Sequence, residues 1–184
     1  MRSVRGTTMT YVYTKPKKLF KYLEKAKVDA MLDRARADNT RNYLILQTLW
    51  KTGVRNSELC NLKKRDIKKD EITVRGGKGG KDRVIPIDTS LWDLLTLFTA
   101  DLNLDNYLFP LSDMAIRNIT HKYQGDEDVH PHTFRHSFAV FFLKSGGNIR
   151  ALQKIMGHSD LNTTADYLDL IAEDIKDEYK KVQW

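Results

Sequence analysis

Glu71-Ile72-Thr73-Val74 and Arg83-Val84-Ile85-Pro86-Ile87, separated by Gly76-Gly77-Lys78-Gly79-Gly80-Lys81-Asp82, form the stretch that decides the fold. Short runs rich in β-branched residues and bounded by glycine read as strands. Asp66-Ile67, just upstream, reads as a third short strand, and the glycine-rich segment as a flexible, lysine-bearing hairpin tip. Everywhere outside this stretch the apolar period is that of a helix.

Upstream, Val28, Met31, Leu32 and Ala35 recur at three- and four-residue spacing from about Glu24, as one buried helix face requires. A second, largely buried helix runs from about Thr40 and stops at Gly53, and Ser57 to Leu62 reads as a short third. Downstream, helices are predicted over Ser90 to Thr99, Asp113 to Tyr123, Thr133 to Lys144, Asn148 to Met156, Asn162 to Tyr167 and Glu173 to Val182. Ser112, Thr133 and Asn148 are the predicted N-caps. Gly146-Gly147 and Gly157 break the pattern between helices. The predicted class is α+β, mostly helical, with a small three-stranded antiparallel sheet. A chain of 184 residues has room for one domain with a proper core. We place that domain at residues 22–184, behind a basic N-terminal arm or linker of residues 1–21.

No apolar run approaches the length of a membrane span, and the N-terminus has no signal-peptide core. A single cysteine, Cys60, excludes an internal disulfide framework and fits a reducing, cytoplasmic setting. The formal charge of +7 favours a polyanionic partner. The arm carries Lys15, Lys17 and Lys18 around Pro16 and has no acidic residue. It reads either as a loose segment or as one that tracks a DNA backbone.

The candidate chemistry centres on Val129-His130-Pro131-His132-Thr133-Phe134-Arg135-His136-Ser137, which runs straight into an apolar helix. His132 and Arg135 share a helix face and together suit an anion. His132 and His136 also have the i, i+4 spacing of a zinc pair, with His130 nearby. However, no glutamate follows His132 directly and Cys60 stands alone, so the anion reading is preferred and His136 is taken as a packed or capping histidine. Arg55 follows the helix-ending Gly53 and precedes another helix. It can face an anion there, or simply pair with Glu58 at i, i+3. Lys78 does not sit in a P-loop, because the Gly-x4-Gly-Lys-Ser/Thr order is missing. A lysine on a hairpin tip can donate a proton into a site or remain exposed. Tyr167 as a nucleophile would need a base or a positive field, since a free tyrosine titrates near 10. His132 could be that base, with Arg55, Arg135 and Lys78 as the field.

Taken in order, these residues resemble the active-site set of the tyrosine recombinases, the phage-integrase superfamily. Thr52-Gly53-Val54-Arg55-Asn56-Ser57-Glu58-Leu59 resembles the family's TG-R-SEL box, and Gly77 to Pro86 its β-hairpin lysine segment. His132-Thr133-Phe134-Arg135-His136-Ser137-Phe138-Ala139 resembles its H-LRH-FA helix. Met156-Gly157-His158 through Thr163-Thr164 to Tyr167 resembles its LGH…TT…Y segment. The resemblance runs from about residue 22 to the end.

The resemblance implies a metal- and ATP-independent DNA strand transferase with no cofactor, acting on double-stranded DNA. Arg55 and Arg135 would hold the scissile phosphate, Tyr167 would attack it, Lys78 would protonate the leaving 5′-oxygen, with Lys81 as its rival, and His132 would take the tyrosine proton. His158 would hydrogen-bond a phosphate oxygen, and Glu58 would orient His132 or neighbouring groups. The apolar stripe Ile171, Ile175, Tyr179 and Val182 on the last helix would join protomers in a synaptic tetramer. Relatives usually add an N-terminal DNA-binding domain of roughly 80–100 residues. Only the basic arm stands in its place, which implies a short natural form or a fragment, and Met1 favours the former. The same chemistry also serves type IB topoisomerases, and a DNA-binding regulator with a silent site is the remaining alternative.

Overall fold

The structure is a computed structural model that describes residues 20–76, 82–158, 164, 166–168, 171–172 and 179–180. Its centre is the helix α2 (Thr40–Thr52), whose Tyr43, Leu44, Ile45, Leu46, Leu49 and Trp50 are all buried. Asn39 ends α1 (Lys25–Asp38) and caps α2 by accepting from the Asn42 backbone N–H (3.0 Å). The two helices therefore fold back on each other within a single residue. The predicted face of α1, Val28, Met31, Leu32 and Ala35, is the one it buries. Gly53 closes α2 in the left-handed conformation (φ 60°), and a Cβ there would lie 2.4 Å from the Phe138 ring. Glycine is needed for both reasons.

The short α3 (Asn56–Asn61) leads through a 3-10 turn at Lys64–Asp66 into the sheet, β1 (Ile67–Lys68), β2 (Glu71–Val74) and β3 (Arg83–Pro86). The three strands are antiparallel in that order, with Ile72 opposite Ile85 and Val74 opposite Arg83. Residues directly opposite share a face, so Ile72, Val74, Arg83 and Ile85 all point into the domain. The predicted first strand shifts by one residue. The Asp66 carboxylate accepts from the Lys63 backbone N–H (2.9 Å) and pairs with Arg75 (2.6 Å), which holds Asp66 in the turn.

Asp88, Ser112 and Asn148 cap α4 (Thr89–Phe98), α5 (Asp113–Tyr123) and α7 (Ile149–Met156) with their side chains. One predicted cap is corrected. Helix α6 (Pro131–Lys144) begins two residues before the expected Thr133, and His130 is its N-cap. Pro131 at the first helical position already has a helical φ and needs no N–H there, while the Thr133 hydroxyl accepts from the His130 backbone N–H (3.1 Å). Phe20 and Lys21, expected in the arm, belong to the packed body: Phe20 stacks on His136 and Lys21 pairs with Glu127 (3.2 Å). No helix among the described residues is long and apolar enough to cross a membrane.

Candidate active site

Helices α2 and α7 both end in a left-handed glycine, Gly53 (φ 60°) and Gly157 (φ 63°). Their C-terminal carbonyls converge on one guanidinium. Arg135, 4% exposed on α6, donates through Nη1 to the Gly53 carbonyl and through Nη2 to that of Met156 (2.7 Å) and to Nε2 of His158 (3.1 Å). Helix C-termini offer unpaired carbonyls and a partial negative charge, which suits a buried cation. Burial, with Arg55 nearby, lowers Arg135 to about 10, and it remains charged at neutral pH.

Arg55 stands at the N-cap of α3 and forms the predicted pair with Glu58, Nη1 to Oε1 at 2.8 Å, while its backbone N–H reaches Oε2 at 2.8 Å. The pair is not a simple surface ion pair. Arg55 also reaches the Gly157 carbonyl (3.4 Å), and Glu58 is held bidentately by Arg83 at 2.8 and 2.7 Å. Burial pushes the Glu58 carboxyl up, but hydrogen bonds from Arg83 and from Arg55 outweigh it and bring it down to about 2. Of the partners expected for Glu58, the structure pairs it with Arg55, and it adds Arg83. Three guanidiniums around one carboxylate leave a net charge of +2.

His158 uses both ring nitrogens. Nε2 accepts from Arg135, so the proton of the neutral ring sits on Nδ1, beside the Thr164 hydroxyl (2.9 Å). Burial and then the surrounding arginines hold His158 down at about 4. His132, in the first turn of α6, is lowered by burial and then by Arg135 and Arg55, which places it beside both.

Tyr167 is 2% exposed and reaches this cluster from the segment after α7. Its hydroxyl is hydrogen-bonded to Nδ1 of His136 (2.8 Å), not to the expected His132. Burial pushes Tyr167 up to about 12 against the pull of Arg135 and Arg55. His136 is neutral, lowered to about 4 by burial and by His132 and Arg135. Phe20 covers the pair, stacked on His136 at 4.4 Å and lying 5.5 Å from the Tyr167 ring. His132 and His136 are 6.5 Å apart between ring centroids. Among the described residues, the set of close metal-ligating groups is a different one, His121, Asp128 and His130. Lys78 and Lys81, like Lys15, Lys17 and Lys18, lie outside the described residues.

Residues 21–173 match the phage integrase family. The chain belongs to that family. It is 36% identical over 182 residues to the tyrosine recombinase XerA of Thermococcus kodakarensis, covering 91% of this chain and 64% of the relative. Against XerA of Pyrococcus furiosus the identity is 39% over 176 residues, covering 88% and 62%. The chain thus spans somewhat less than two thirds of the length of these curated relatives. Its fold is that of the crystal structure of XerA recombinase (TM-score 0.75, 29% identity, 95% of this chain and 68% of that one). It is similar also to the catalytic domain of bacteriophage HP1 integrase (TM-score 0.66, 29% identity, 83% and 88%).

Within this integrase-family site, sequence reasoning missed Arg83 and assigned His136 only a packing role. The signal for Arg83 was present. It stands two residues before the buried Ile85 on a strand, so alternation turns it inward, and an arginine facing a core has a partner to find. For His136 there was no such signal, because its contact with Tyr167 spans 31 positions and depends on how the chain returns after α7.

Proposed function

We propose that the chain is the catalytic domain of a site-specific DNA recombinase that cuts and rejoins strands through a 3′-phosphotyrosyl intermediate. One observation carries this reading: Arg55, His132, Arg135 and His158, drawn from three separate sequence boxes, surround one charged cradle with Tyr167 at its edge. In the reaction, the Tyr167 oxygen bonds to phosphorus as the bond to the 5′-oxygen breaks. Arg55 and Arg135 neutralise the charge on the equatorial oxygens, for which a planar, permanently charged fork is suited. The tyrosine proton passes to His132, and Lys78, or Lys81 on the same tip, gives one to the departing oxygen. The phosphodiester energy is kept in the new ester, so a 5′-hydroxyl can reverse the step without ATP. Buried and raised to about 12, Tyr167 is not yet a nucleophile. It must leave His136 and approach the arginines, whose field favours the phenolate.

The partners of this reading are double-stranded DNA and three further copies of the chain, connected through the C-terminal helix. Ile171 is packed against the core and Tyr179 is 61% exposed. The test is covalent trapping on a library of nicked duplexes in buffer containing EDTA. Wild type should yield a protease-sensitive adduct that Tyr167→Phe cannot form, with binding of intact duplex retained. An adduct formed by the phenylalanine variant would remove Tyr167 from its role. Relaxation of a supercoiled plasmid without recombination of paired sites would move the reading to a type IB topoisomerase.

A further inference from the structure

Arg83 makes three side-chain hydrogen bonds around the site, and the roles carried over by resemblance do not include it. Its side chain is 11% exposed, and it lies on the inward face of β3. Its fork takes both oxygens of Glu58, and its Nε donates to the Ile155 carbonyl (2.7 Å) in the last turn of α7. A Cβ on Gly157 would lie 2.9 Å from Arg83 Cδ, so the residue before His158 rests directly on this arginine. Arg83 therefore ties three parts of the site together: the N-terminus of α3 with Arg55, the end of α7 with His158, and the strand that leads out of the lysine-bearing tip.

The charges give this tie a direction. Glu58 beside Arg55 alone would form a neutral pair, and an anion approaching Arg55 would meet a guanidinium already compensated. With Arg83 on the same carboxylate the trio carries a net +1. Glu58 can then fix Arg55 in place while Arg55 retains charge for a phosphate. We propose that Arg83 is a positioning residue for the cleavage step, acting as the counter-cation of Glu58 so that Arg55 faces the scissile phosphate oriented and uncompensated. This inference rests on the recombinase reading above.

The experiment is single-turnover cleavage of a nicked duplex by the full chain. Arg83→Gln should slow adduct formation about 100-fold, as misplacement of a group next to the chemistry does, with the affinity for intact duplex changed little. The double variant Glu58→Gln, Arg83→Gln should recover about tenfold of that loss, because removing the carboxylate leaves Arg55 uncompensated again. Arg83→Lys keeps a cation opposite Glu58 but loses the fork, and its cleavage should lie between that of wild type and that of Arg83→Gln. On a substrate with a methyl group replacing one non-bridging oxygen of the scissile phosphate, there is no anion for Arg55 to hold. The Arg83→Gln defect should shrink there, which a loss of packing alone would not produce. Arg83→Gln cleaving like a competent wild type would overturn the inference. So would a double variant no better than the single one with a defect undiminished on the uncharged substrate, or Arg83→Lys as impaired as Arg83→Gln. A wild type that forms no adduct would overturn the recombinase reading, and the inference with it.

Discussion

Arg135 and Tyr167 are both almost fully enclosed, at 4% and 2% exposed, yet their surroundings differ in kind. Arg135 is held by two helix-terminal carbonyls and His158, with Arg55, Glu58 and Arg83 beyond. Tyr167 is held by ring contacts with Phe20 and His136 and by the hydrogen bond to His136. A permanent charge can be buried only where its donors are met, so the cradle must be complete before any ligand arrives. A neutral phenol needs much less. The tyrosine's bond and stacking contributions are each about 1 kcal/mol, which duplex binding can replace. On the proposed reading, the cradle is built to stay and the tyrosine to move.

The strongest challenge to that contrast is Arg135→Lys. A lysine keeps the charge but cannot reach both carbonyls and His158 at once. Cleavage should fall about 100- to 1000-fold, and the unpaired carbonyls should cost about 1–3 kcal/mol of stability, read by single-turnover kinetics and denaturant unfolding. Wild-type cleavage by this variant would mean that the cradle needs charge alone. Gly53→Ala tests the backbone that aims one of those carbonyls. A left-handed alanine, with its Cβ 2.4 Å from the Phe138 ring, should cost about 2–4 kcal/mol. An unchanged unfolding midpoint would show that α2 can end differently.

On the other side of the contrast, Phe20→Ala should release Tyr167. Removing about 1 kcal/mol of ring contact corresponds to about a fivefold change in population, so first-turnover cleavage should rise several-fold while thermal stability falls slightly. A variant that is less stable and also slower would make Phe20 a packing residue only.

A further expected effect is on pH. His136 and His158 titrate near 4 in the fold, against an ordinary 6.5. Between those values the unfolded chain binds the extra protons, so stability rises with pH across the window and is lost on acidification from 6.5 toward 4. Glu58, lowered from 4.5 to about 2, adds a further loss as pH falls through that lower range. The two windows separate in denaturant titrations of wild type and His158→Asn, whose midpoint should fall less between pH 6.5 and 4.

Periodicity alone determined the helical body, the three-stranded sheet and the buried face of α1, because burial repeats at 3.6 residues on a helix and at two on a strand. It also marked Gly53 and Gly157 as helix ends, a local property of a residue without a Cβ. The resemblance implied one site for Arg55, Lys78, His132, Arg135, His158 and Tyr167. Neither could say what the buried groups touch. That Glu58 serves two arginines, that Arg83 is one of them, and that Tyr167 rests on His136 under Phe20 are matters of separations of 25, 31 and more than 100 positions. Contacts that distant are fixed by how the helices and the sheet pack. Only the tertiary structure decided that Arg135 is fully held by helix-end carbonyls and His158 while Tyr167 rests on His136.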